Sequence, residues 1–277
     1  MNITRLSQGV DASGTLLPEA MERTFSVLRA YRAACDEEGV TRGQLAATSA
    51  VRDAANGEEF LRRAHEIVRV PVSVLAGEDE AALSYAGATK DLEVVREPTM
   101  IVDIGGGSTE LAVELEGVLV SYSMQLGSVR VTERALGRGV VSAQSDRAAR
   151  AMIDDEIERA FGARPEFETV VGHVRLVGLA GTVATLAQMD AGLHVYDRAV
   201  VHHRILSLAT VDRWRDVLAS ETPEVRLAHP GMVEGREDVL PAGLYILDAV
   251  MRRLEMDQLL SSENDILDGM AASLLAP

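Results

Sequence analysis

The chain has 277 residues, 47% of them apolar and 25% charged, enough for one large or two ordinary soluble globular domains. Its formal charge of −16 argues against a nucleic-acid or membrane-surface partner, since both need positive potential to capture phosphates. The single cysteine, Cys35, excludes internal disulfides and a cysteine metal cluster, and no run approaches the roughly 20 apolar residues of a membrane span. With no signal-peptide pattern at the start, a cytoplasmic protein is expected.

In chain order, residues 2–6 read as a short strand, followed by a turn over 9–14. From Pro18, residues Met21, Phe25, Leu28, Tyr31 and Cys35 recur at helical spacing up to a glycine stop at Gly39, with Cys35 read as a core thiol. A strand at 44–47 runs into Thr48-Ser49-Ala50-Val51-Arg52. The Ser49 hydroxyl and Arg52 guanidinium lie just past a strand end, where open α/β sheets hold oxyanions, although a helix cap and a surface arginine fit the same residues. A helix over 57–69 and a strand over 72–75 follow. Gly77-Glu78-Asp79-Glu80-Ala81 then opens a helix whose first-turn acids complement its dipole. Glu80 has a further use only if it faces a substrate, where a carboxylate can take a proton from an attacking water.

Residues 100–115 organise the rest: strand, three glycines, strand. The Rossmann and Walker loops both lead from a strand into a helix, and the Walker loop needs a Lys where this chain has Ser108. Gly105, Gly106 and Gly107 can take positive φ and aim backbone N–H groups at an anion, with Ser108 adding a hydroxyl. Asp103 and Glu110 flank the turn, and acids beside a phosphate cradle repel it unless a divalent cation, Mg²⁺, lies between. A tight hairpin with two solvated acids fits the same residues.

Beyond it, 118–123 is a strand, and Gly127, Ser128 and Arg130 form a loop. A helix over 143–161 and a strand over 175–179 lead into Gly181-Thr182, where a helix N-terminus can meet an anion or Thr182 can simply cap the helix. Helices near 210–219, 223 and 236–254, a strand over 258–261 and a helix over 265–275 complete the chain. His202 and His203 are adjacent, cannot share a helix face as a metal pair would, and are read as structural.

Together these segments, with Ser262-Glu263-Asn264-Asp265-Ile266-Leu267-Asp268-Gly269, resemble in order and rough spacing the exopolyphosphatase and guanosine pentaphosphatase (Ppx/GppA) phosphatase family, especially its short two-domain members. The resemblance implies an α/β fold of two actin-like, ribonuclease-H-like domains, here 1–95 and 96–277, with an interdomain cleft and the last helix packing back on the first domain. It implies hydrolysis of the terminal phosphoanhydride of inorganic polyphosphate or of a guanosine pentaphosphate, and a homodimer. By the same resemblance Glu80 is the base, and Asp103 and Glu110 hold Mg²⁺. Ser49, Arg52, Gly105, Gly106, Gly107, Ser108, Gly127, Ser128, Gly181 and Thr182 bind the phosphates. A first phosphate loop of the Asp-x-Gly-Thr-Asn-Ser type has no counterpart here, so residues 2–6 align with the family's third strand. The expectation is a start codon further upstream, the alternative an incomplete chain that binds polyphosphate or guanosine tetraphosphate without hydrolysis. A sugar or acetate kinase of the same superfold is disfavoured by the Thr-Ser-x-x-Arg and Gly-Glu-x-Glu-Ala segments.

Overall fold

The computed structural model describes residues 2–275. The chain divides into two compact units, one running to Glu80 and resuming at Met270, the other spanning Ala81–Gly269.

The first unit is built on α1 (Val10–Ser13), α2 (Pro18–Glu37), β1 (Leu45–Ala47), α3 (Ser49–Arg52), α4 (Gly57–Val68) and β2 (Val72–Val74), and includes the start of α5 (Gly77–Thr89). Pro18 occupies the first turn of α2, where its missing N–H costs nothing. The buried faces of α2 and α4 meet through Phe25 and Phe60, stacked at 5.2 Å, and β1 pairs with β2 in parallel. Asn56 fixes the entry to α2 by accepting from Leu16 N (2.8 Å) and donating to Leu16 O (3.0 Å).

Residues 2–6 form no strand, contrary to the sequence reading. Arg5 takes a φ of 53°, which ends any extended run, and the Thr4 carbonyl accepts from Arg23 Nε (3.0 Å) rather than from a ladder. Within the expected turn, residues 10–13 close into the short α1. Cys35 is half-buried rather than a core residue.

The second unit holds a six-stranded sheet. Its first strands are β3 (Thr99–Ile104), β4 (Thr109–Leu115) and β5 (Val118–Met124). A helical turn α6 (Ser128–Val131) and helix α7 (Ala143–Ala163) follow, then β6 (Arg175–Leu179), α8 (Ala180–Asp190), α9 (Arg198–Val201), β7 (Ile205–Ser207), α10 (Leu208–Ala219), α11 (Pro223–Leu227), α12 (Leu240–Arg253), β8 (Gln258–Ser261) and the start of α13 (Ile266–Leu275), whose residues from Met270 on belong to the first unit. The strand order is β5-β4-β3-β6-β8-β7. Strands β3 to β5 form an antiparallel meander, β6 and β8 continue from β3 in parallel, and β7 closes the edge antiparallel to β8. Glu116 and Gly117, with φ of 53° and 80°, form the two-residue hairpin between β4 and β5, where both central residues must be left-handed.

The alternation of β3 and β4 sorts the core. Met100, Val102, Leu111 and Val113 point into the large cluster with α7, α8 and α12, while Ile101, Ala112, Val177 and Leu179 meet Ala81 and Ala88 of α5 on the other face. Asp103 and Glu110 share the parity of this second face. β7, which pairs antiparallel with β8 at the sheet edge, was not foreseen. No helix among the described residues is long and apolar enough to cross a membrane.

Candidate functional site

The hairpin between β3 and β4 has Gly105–Ser108 as its loop, so the ladder register sets Asp103 directly opposite Glu110 and Ile104 opposite Thr109. Directly opposed residues of an antiparallel pair project from the same face with their Cβ atoms about 5 Å apart. Both carboxylates are buried, Asp103 at 7% exposure and Glu110 at 1%. Each has one hydroxyl donor: Ser84 Oγ to Asp103 Oδ2 (2.7 Å) and Ser123 Oγ to Glu110 Oε1 (2.7 Å), with Ser123 opposite Glu110 on the next strand. Two buried acids side by side are costly. Burial, the nearby Asp265 carboxylate adding to it, pushes the Asp103 carboxyl up to about 6 against the lowering effect of Ser84. Two buried carboxylates projecting from one face offer oxygen donors that fit a hard divalent cation.

The glycine turn is fixed from behind. The Gly105 carbonyl accepts from Ser128 N (2.9 Å) and Ser128 Oγ (3.2 Å), the Gly106 carbonyl from Val129 N (2.9 Å) and Arg130 N (3.2 Å), and the Gly107 carbonyl from Arg130 Nε (2.8 Å). All three carbonyls are therefore turned toward 128–130, and among the described backbone bonds none uses the N–H of Gly106 or Gly107. The expected positive φ is not the device: the left-handed residues nearby are Glu116 and Gly117, not the triplet. Glycine is needed instead for close approach, most clearly at Gly127, where a Cβ would fall inside the Gly106 carbonyl and the Gly107 nitrogen. Gly127→Ala is expected to push the turn away from α6 and lower stability by about 1–3 kcal/mol, as read from the urea midpoint.

Gly127 and Ser128 hold the turn in place by this close packing and by the bonds to the Gly105 carbonyl. At the end of β6, Ala180 takes a left-handed φ of 62° and α8 begins. Arg236 lies against Gly181, donating to the Gly181 carbonyl and to Thr185 Oγ1 (2.7 Å), and burial pulls its guanidinium down to about 10, still charged at neutral pH. Sequence reading missed Arg236, which meets this helix start only through the fold. The segment after it is held by Arg226, wholly buried, which donates to the carbonyls of Glu237 (3.1 Å), Leu218 (2.7 Å), Arg138 (2.9 Å) and Gly139 (2.7 Å). Thr182 is buried beside Gly243 of α12.

In the first unit, Ser49 is buried in the turn of α3. Arg52 Nη1 donates to the Leu75 carbonyl (2.7 Å) and lies 3.6 Å from Glu80 Oε2. Glu80, at 9% exposure, is held beside this guanidinium. It lies in the first turn of α5, one helical turn before Ser84, the donor to Asp103. The two acids before it, Glu78 and Asp79, are in the same first turn.

A meander extended in parallel, with an acid-flanked glycine turn at the end of its first strand, defines the second unit as an actin-like α/β half of ribonuclease-H type. The chain belongs to the Ppx/GppA phosphatase family, which it matches over residues 1–276. Exopolyphosphatase 2 of Mycobacterium tuberculosis is 35% identical over 283 residues, covering 98% of this chain and 87% of that protein. Among solved structures, an exopolyphosphatase-like protein is 31% identical with a TM-score of 0.91, covering 98% of this chain and 89% of the other. A Ppx/GppA family member from Aquifex aeolicus is 27% identical with a TM-score of 0.79, covering 99% and 87%.

Proposed function

We propose that this chain is an exopolyphosphatase, hydrolysing the terminal phosphoanhydride of inorganic polyphosphate to orthophosphate and a chain one unit shorter. The observation that carries this reading is the buried, in-register Asp103–Glu110 pair directly behind the glycine turn. Membership of the family and the likeness to the mycobacterial exopolyphosphatase support it.

Asp103 and Glu110 hold Mg²⁺, which when bound offsets negative charge on the transferred phosphoryl group. The N–H groups of the turn and the Ser108 hydroxyl bind the phosphate oxygens, while Arg236 and Gly181–Thr182 in the second unit, and Ser49 and Arg52 in the first, bind further phosphates. Glu80 accepts a proton from water as its oxygen attacks the terminal phosphorus. The P–O bond to the next phosphate breaks, and that oxygen leaves on the shortened chain. The protein's charge of −16 repels such a substrate, so capture depends on these local donors. A cytoplasmic homodimer goes with this reading.

The test is orthophosphate release from long-chain polyphosphate with magnesium, with EDTA, and with guanosine pentaphosphate as a second substrate. Release that needs magnesium is expected. Binding of polyphosphate with no release under any of these conditions would overturn the hydrolase reading.

A further inference from the structure

Asp91, His202 and His203 converge in the second unit on residues that take no part in the phosphate turn. Asp91 lies in the loop after α5, and the histidines form the turn between α9 and β7. His202 Nε2 is 3.0 Å from Asp91 Oδ2, His203 Nε2 is 3.6 Å from Asp91 Oδ1, and the two rings stack at 3.8 Å. Ligand atoms held about 2.0–2.1 Å from one tetrahedral ion lie roughly 3.3 Å from each other, a separation these two distances bracket.

The sequence reading set these histidines aside because neighbours cannot share a helix face. They converge by another route. His203 takes a left-handed φ of 61°, held by its N–H to the Ser261 carbonyl (2.7 Å), and this turn puts both rings on one side of the chain. His203 Nε2 is itself buried without a hydrogen-bond partner. Asn264 Nδ2 steadies Asp91 Oδ2 (2.8 Å) and is itself fixed by Arg198 Nη2 at its Oδ1 (2.5 Å), an outer layer of the kind that orients metal carboxylates.

We propose that Asp91, His202 and His203 form a second metal site, for a transition-metal dication of the zinc class, with its remaining position open to water. Two imidazoles and one carboxylate favour such ions over magnesium. Glu263 N–H donates to His202 Nδ1 (3.1 Å), which places the ring proton on Nε2 in the metal-free state. Ligation through Nε2 moves that proton to Nδ1 and gives up the bond to Glu263, so binding shifts the 263–264 backbone and is weaker than at a site already in its bound form. Once filled, the site clamps the loop after α5 to the α9–β7 turn.

The test is titration of the full chain with Co²⁺ in excess Mg²⁺, which fills hard oxygen sites. One equivalent of visible d–d absorption of tetrahedral intensity is expected, displaced by Zn²⁺. His203→Asn, which tolerates the left-handed φ, and Asp91→Asn should each weaken uptake at least tenfold, while His229→Ala should leave it unchanged. Circular dichroism checks that each variant is folded. Absence of the band in the parent chain, or an undiminished band in folded His203→Asn, would overturn the proposal.

Discussion

Asp103→Asn is expected to abolish magnesium-dependent phosphate release and, at the same time, to stabilise the metal-free protein. The Asp103 carboxyl is buried and pushed up to about 6 by that burial, with Asp265 adding to it. An unfolded chain titrates the same group near 3.9. The folded state therefore binds this proton more tightly than the unfolded state does. The contribution to stability is complete below about pH 4 and is lost as pH rises through 6, a loss of about 3 kcal/mol by neutral pH. Asparagine keeps the shape, still accepts from Ser84 and carries no charge. Differential scanning fluorimetry at pH 7.5 in EDTA should show the variant melting several degrees higher, with the difference closing toward pH 4. Magnesium should raise the melting temperature of the parent chain and leave the variant where it is. A variant that melts lower than the parent at pH 7.5 would mean that the charge is already offset by the protein alone.

Glu80→Gln is expected to lower turnover on polyphosphate by roughly 10²–10⁴ with little change in affinity. The carboxylate is buried and lies beside Arg52, which is itself anchored on the Leu75 carbonyl, so an isosteric amide keeps the packing and removes only the proton acceptor. Orthophosphate release in single-turnover conditions, together with polyphosphate binding by filter retention, separates the two effects. Parent-rate hydrolysis by the glutamine variant would remove Glu80 from the role of base. Equal loss of binding and turnover would assign it to substrate capture instead.

The glycine turn was legible because its signals are local. An apolar β-branched run, three glycines and a second alternating run dictate a hairpin, and a four-residue loop with Ile104 opposite Thr109 already sets Asp103 against Glu110. What the triplet does with its glycines was not legible: close packing of Gly127 decides it, twenty residues on. Arg236 gave no signal, since only the fold brings it to Gly181. Residues 2–6 show the opposite failure. Ile3, Thr4 and Leu6 look strand-like, but a left-handed Arg5 and the grip of Arg23 on Thr4 prevail. The histidine pair was judged by helical spacing in a place where the chain is a left-handed turn.

The most direct test of the central claim is electron paramagnetic resonance of Mn²⁺ added to the polyphosphate-loaded protein with zinc in place at other sites. One tightly held ion is predicted in the parent chain, lost in both Asp103→Asn and Glu110→Gln, with phosphate release falling in step. Full occupancy and turnover in the Glu110→Gln and Asp103→Asn variants would contradict the assignment of this buried carboxylate pair as the ion's seat.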